Sequence, residues 1–418
     1  MKRSIFMSLF IPLAIFALCM LLIIPAFADT VRSNVKNTGG CNNSNVVAFT
    51  EDGFYWLYNF MMYTDFSTLD TTYVCAKPEC DHTDHLYCDA GNRIPDFQIV
   101  DGKLYTVDFD WQIDQGRYLT ESNLALGERR KVMEFSHDYM GSFCSEAFEI
   151  YRNYVIYLGD FGSVCINRLG APLEDEIILF EVTEEEAKEE FPIIYEVKGG
   201  VPYSWRFWTD DNYFYFMGNY ALLGAERTFN SKYANQLYRY DLLTKTCEQV
   251  WDLPSSKDVG EWKLEGISTN GWYIKDDYIY YFLTGNGLWR TNLNTGVHEN
   301  LFQTDVNGTA FFDGEYLYIN NSDDLSMLFN GFQDEERVIQ VFRMDGTKIN
   351  TISLKSLYEE NEADYFDILG TYRDEFVLQS LDIYNNTETQ DIKYYLVNAM
   401  TGEIQFIADI YNTILMES

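Results

Sequence analysis

The chain has 418 residues, with 65 Asp and Glu against 30 Lys and Arg, for a formal charge of −35 at pH 7. Aromatic residues make up 17% and Pro only 8 residues, which supplies a large core and excludes a disordered acidic chain. The acidity excludes a nucleic-acid binder, which needs a basic face to displace counterions from phosphate, and disfavours an anionic membrane surface.

In chain order, the first element is a leader. Lys2 and Arg3 precede an apolar run from Ile5 to Phe27, and Ala26-Phe27-Ala28 puts small residues at the positions signal peptidase inspects. Residues 1–28 read as a signal peptide and 29–418 as one domain beginning at Asp29, extracellular or in the cell envelope. An uncleaved anchor is the alternative, because the run approaches the ~20 residues that span a bilayer. Pro25 breaks the helix ahead of the small-residue site and favours cleavage. Beyond the leader no apolar run is long enough to span a membrane. Without Cys19 the chain keeps Cys41, Cys75, Cys80, Cys88, Cys144, Cys165 and Cys247, an odd set that cannot pair fully within one chain. The core must come from packing.

Next comes a repeat. An acidic or polar turn followed by aromatic and β-branched residues recurs seven times, starting at Asp52, Asp101, Arg152, Asp211, Asp277, Asp313 and Arg373. The spacing of about 50 residues falls in the range of propeller blades. A second block reads as a hairpin: Leu237 to Leu242 turning at Thr244-Lys245, Leu288 to Leu293 at Asn294-Thr295-Gly296, Val341 to Met344 at Asp345-Gly346, and Tyr394 to Val397 before Thr401-Gly402. Each repeat is a four-stranded antiparallel sheet that cannot bury both faces alone, and radial stacking buries them. The expectation is an all-β, seven-bladed β-propeller, with six or eight blades as alternatives and Ser44 to Phe49 as an edge strand for closure. A short acidic helical insertion is expected between Glu174 and Glu190, where Thr183-Glu184-Glu185-Glu186 resembles a capping box.

The segment from Cys75 to Ala90 stands apart. It holds three Cys and two of the four His in the chain, and follows Thr72-Tyr73-Val74, where the first blade is expected to form its second hairpin. Cys75, Cys80, His82 and Cys88 have the donor chemistry of a closed, structural Cys₃His zinc site, with Pro78 stiffening the turn between the first two. A disulfide between two of the three Cys, or free redox-active thiols, are the other readings. Asp108, Asp110 and Asp114 give a superficial calcium-loop look but lack the Gly and terminal Glu of that pattern, and read as an acidic turn. Trp205, Trp208, Trp251, Trp262, Trp272 and Trp289 are candidates for a sugar-stacking platform or for wedges between blades.

Catalytic signatures are missing from the sequence: there is no Gly-x-Ser-x-Gly, no His-Glu-x-x-His, no P-loop and no dinucleotide fingerprint. With so many acids, no pair of carboxylates is singled out as catalytic.

The pattern Cys75-x-x-Pro78-x-Cys80-x-His82 followed by Cys88-x-Ala90, together with the blade blocks, resembles a group of uncharacterised secreted or lipoprotein β-propellers of Gram-positive anaerobes, related to the TolB-like and DUF5050-type propellers. Members often carry a lipobox; Leu18 is too large for one at Cys19. The resemblance implies a propeller and a cell-envelope address, and no activity. The leading expectation is an exported, non-catalytic, monomeric propeller that binds a protein, peptide or glycan. A polysaccharide-active enzyme using channel carboxylates, and a metal- or redox-linked protein acting through Cys75 to Cys88, are the alternatives.

Overall fold

The computed structural model describes residues 47–413, apart from 59, 84–87, 92–96, 110–116, 136–147, 160–162, 182, 184, 186–203, 220–221, 224–225, 228–235, 253–270, 284, 305–307, 322–336, 362–364 and 382–388. The leader, Ser44 to Val46, Cys41, Cys144, His85, His137, Asp110, Asp114 and Trp262 lie outside the described residues.

Seven antiparallel sheets of four strands follow one another, spanning 47–73, 97–134, 148–180, 204–252, 272–302, 309–353 and 365–413. They are blades 1 to 7 of a β-propeller. Every one of the seven sequence blocks forms the second strand of its blade, and the four hairpin blocks form third strands. Second strands are buried on both faces, as in Tyr316–Asn320, because neighbouring blades cover both. Fourth strands such as Cys247–Asp252 and Lys348–Ser353 are exposed along half or more of their length.

Turn chemistry repeats with the strands. Asp241, Asn292 and Asn398 each end a third strand and accept backbone N–H bonds from residues two and three further on, at 2.7 and 3.0, 3.1 and 2.9, and 3.0 and 2.9 Å. The fifth residue of each turn is left-handed, which suits Gly296 (φ 69°) and Gly402 (φ 74°); Lys245 adopts the same conformation at φ 57°. In blades 4 and 6 an Asp at the first hairpin does two jobs. Asp313 Oδ1 accepts from the N–H groups of Glu315 and Tyr316, and its Oδ2 accepts from the Tyr318 hydroxyl at 2.9 Å. Asp210 does the same for Asn212, Tyr213 and Tyr215.

The core is divided among the seams. Among the described residues there are seven apolar clusters, and each is shared by two neighbouring blades. The last joins blade 7 to blade 1, bringing Leu369, Val377 and Tyr394 against Val47, Phe49 and Trp56. Side-chain packing therefore closes the ring. Val47–Phe49 pairs with the second strand of its own blade rather than completing another, so the edge strand expected for closure serves as blade 1's innermost strand. Polar links reinforce the seams: Gln98 Nε2 donates to Glu149 at 2.5 Å from blade 2 to blade 3, and Asn320 Nδ2 donates to the Phe366 carbonyl at 2.6 Å from blade 6 to blade 7.

The insertion read as helical begins differently. Leu173–Asp175 is a 3-10 turn and Ile177–Phe180 is the fourth strand of blade 3; of the capping box beyond it, Glu185 is helical, and Glu184 and Glu186 lie outside the described residues. Helix occurs also at Lys355–Asn361, between blades 6 and 7, where Leu357 joins the buried seam. Among the described residues, no helix is long and apolar enough to cross a membrane.

Candidate metal centre

Blade 1 completes its second hairpin before the cysteines begin, contrary to the sequence expectation. Phe60–Asp65 and Thr71–Tyr73 pair across a turn in which Asp65 Oδ1 accepts the N–H groups of Ser67 and Thr68 at 2.8 and 3.1 Å, and Leu69 is left-handed. That local cap closes the hairpin early, so the Cys/His segment becomes the connection from the outermost strand of blade 1 to blade 2.

Met61 holds the neck of this loop. Its carbonyl accepts the Val74 N–H at 2.9 Å and its own N–H donates to the Ala90 carbonyl at 2.7 Å. Inside the loop, the Cys80 N–H donates to the Lys77 carbonyl at 3.3 Å, with Pro78 at the second turn position, where its fixed φ is already correct. Pro78 thus lies inside the turn that joins Cys75 to Cys80. His82 is left-handed at φ 57°, which turns the chain back so that two donors one residue apart face the same point.

The donor atoms of Cys75, Cys80, His82 and Cys88 all lie within 4.8 Å of one another, with His82 Nδ1 3.2 Å from Cys88 Sγ. A tetrahedron with zinc–sulfur bonds of about 2.3 Å and zinc–nitrogen bonds of about 2.0 Å has edges of about 3.5–3.8 Å. The four donors fit a metal of that kind after small adjustments. No disulfide joins Cys75, Cys80, Cys88, Cys165 and Cys247 in this structure.

The surroundings differ from ligand to ligand. Cys88 is buried in the blade 1–blade 2 seam, and burial pushes its thiol up to about 12, helped by the neighbouring Cys80 and Cys75. Burial also pushes the half-buried Cys75 up, but the N–H groups of Lys77 and Asp89 and the thiols of Cys88 and Cys80 outweigh it, leaving Cys75 below the ordinary thiol value. Three contacts were not read from the sequence. The Tyr73 ring stacks on His82 at 4.4 Å and 19°, Lys77 pairs with Asp89 at 2.9 Å, and the loop packs against the turn between the third and fourth strands of blade 2, where Leu126 is buried in the same cluster as Cys88. A Cβ placed on Gly127 of that hairpin would sit 3.5 Å from the Ala76 Cβ. Tyr73, two residues before Cys75, was open to inspection in the sequence; the blade 2 partners were not.

The other candidates have structural places. Asp108 lies in a strand rather than a turn, where both carboxylate oxygens accept from Arg129 Nη2 at 2.7 Å and Oδ2 accepts from Thr120 at 2.8 Å. Trp205 and Trp251 are buried between blades, and Trp208, Trp272 and Trp289 pack against the same seams, so these five are wedges. Among the described residues of the innermost strands, the buried carboxylates are Glu149 in blade 3 and Asp367 in blade 7, two blades that share no seam.

No protein-family model matches the chain, and a search of curated proteins finds no match. Solved structures with a similar architecture include a prolyl endopeptidase (TM-score 0.48, 11% identity, 91% of this chain and 49% of that one). BamB from Moraxella catarrhalis is another (TM-score 0.36, 10% identity, 88% of this chain and 87% of that one). A third is a putative TolB from Agrobacterium tumefaciens (TM-score 0.30, 15% identity, 62% of this chain and 75% of that one). This chain spans about half the length of the endopeptidase. At such identities none of these likenesses carries an activity to this chain.

Proposed function

We propose that the chain is an exported, non-catalytic binding propeller, with a protein, peptide or glycan as ligand and a structural zinc ion at Cys75, Cys80, His82 and Cys88. The asymmetry of its two ends carries the binding reading. Connections between first and second strands are tight, as at 101–102, 152–153 and 276–277. The longest connections leave from the opposite end, among them 181–203 and 253–271 between blades and 321–337 between a second and a third strand. Tight hairpins suffice to hold blades together, whereas long connections on a rigid scaffold are where binding residues concentrate.

Zinc is supported by the four convergent donors and by the poverty of the strand they follow. Thr71–Tyr73 is short and its residues are largely exposed, so a metal cross-link supplies what packing does not. Four protein donors leave no open coordination position, which suits structure rather than catalysis.

The binding reading is tested with glycan and peptide arrays probed by residues 29–418, beside a variant in which 321–337 is replaced by a short Gly-Ser turn. Capture that weakens at least tenfold in the variant supports it. Capture unchanged there, and equally unchanged when 181–203 is replaced, overturns it.

A further inference from the structure

We infer that the cluster is a redox-released latch: an external disulfide converts Cys75 and Cys80 into an intramolecular disulfide, ejects the metal and loosens the outer edge of blade 1 from blade 2. This rests on the zinc reading above.

Exposure sorts the three thiols. Cys88 is 4% exposed and enclosed by the seam that also buries Leu57, Phe97 and Leu126, so a bulky disulfide has no approach to it. Cys75 and Cys80 are half-buried, and Cys80 stands between the exposed Glu79 and Asp81. The turn closed by the Cys80 N–H on the Lys77 carbonyl already brings their sulfurs within 4.8 Å. Exchange then needs little movement of the chain.

The chemistry balances with one external disulfide. The Cys80 thiolate attacks it, forming a mixed disulfide and releasing the first small thiolate. The Cys75 thiolate then attacks the Cys80 sulfur, forming the Cys75–Cys80 bond and releasing the second. Two electrons pass from the two protein sulfurs to the external disulfide, which is reduced to two thiolates. The metal keeps only His82 and Cys88, half of a structural set, and leaves as the free dication. His82 is then no longer fixed by the metal over Tyr73, in the outermost strand of blade 1, and the packing of the loop against Leu126 of blade 2 loses its anchor.

The test uses the full chain carrying C247S, which removes the exposed thiol of the fourth strand of blade 4 and leaves the cluster intact. The reduced protein is loaded with one equivalent of zinc and treated with oxidised glutathione. Released zinc is followed with a metallochromic indicator, and disulfides are mapped by peptide mass analysis. The expected result is zinc occupancy falling at least tenfold, one ion per Cys75–Cys80 disulfide, and recovery on adding dithiothreitol and zinc. Zinc retained under excess oxidised glutathione, or released with a bridge to Cys88 or with mixed disulfides only, overturns the latch while leaving the zinc site standing. Failure of the reduced protein to take up zinc at the outset overturns both.

Discussion

Phe49 and Tyr372 stack at 5.6 Å and 11° across the seam between the first and last blades. Phe66 lies parallel to both, at 6.4 Å from Phe49 and 5.4 Å from Tyr372. No strand is exchanged between these blades, so these rings and the apolar residues beneath them are what hold the circle shut.

Phe49→Ala is therefore expected to cost about 3–5 kcal/mol, the range for a large aromatic removed from a core. Denaturant unfolding measures it. A loss under about 1 kcal/mol would show that closure does not depend on this ring.

Removing metal should weaken the molecule on one side. Chelator treatment of the reduced, zinc-loaded protein is expected to lower the thermal midpoint and to raise amide exchange at Thr71 to Val74 and at Asn123 to Glu128, with blades 4 to 6 unchanged. Hydrogen exchange read by mass spectrometry checks this, and uniform deprotection of all blades would contradict a local cross-link. Cys88→Ser should reproduce the pattern.

Acid sensitivity has an identifiable source in blade 2. Arg130 first, then Lys103 and the Tyr105 hydroxyl, hold the Glu121 carboxyl down to about 2 against an ordinary value of 4.5. A depressed carboxyl contributes stability that is complete above about pH 4.5 and lost as the pH falls towards 2. Lys103 and Arg130 are largely exposed, so screening limits this to about 1 kcal/mol. Glu121→Gln should flatten stability against pH between about 4.5 and 2 and lower it at neutral pH. An unchanged slope in that window would refute the assignment.

Asp313 has the opposite sign. Burial raises its carboxyl above the ordinary range, outweighing the N–H bonds from Tyr316 and Glu315 and the bond from Tyr318. Its ionised form is thus disfavoured in the folded state, and its contribution declines as the pH rises from about 4. Asp313→Asn should keep the turn and remove that decline. Asp313→Ala should lose the turn as well and leave the buried Tyr318 hydroxyl without its acceptor, costing about 1–3 kcal/mol in urea unfolding. Asp210→Ala, which removes the matching bonds in blade 4, should behave alike.

The sequence by itself determined the blades. Strand alternation, an Asp or Asn closing third strands such as those ending at Asp241, Asn292 and Asn398, and a left-handed residue at those turns are short-range features, so seven second strands and four third strands were legible before any contact was known. The four donors at Cys75, Cys80, His82 and Cys88 were legible too, because rare residue types clustered within one loop. Tertiary structure alone decided where that loop sits. Asp65 capped the preceding turn, and Met61 tied Val74 to Ala90, which moved the cysteines from the second hairpin of blade 1 to its joint with blade 2. It also decided the seams. Gln98 meets Glu149 across 51 positions of sequence, and Phe49 meets Tyr372 from opposite ends of the described chain. Such pairs are fixed only when blades stack, because the free energy that joins them comes from burying faces that each blade leaves bare.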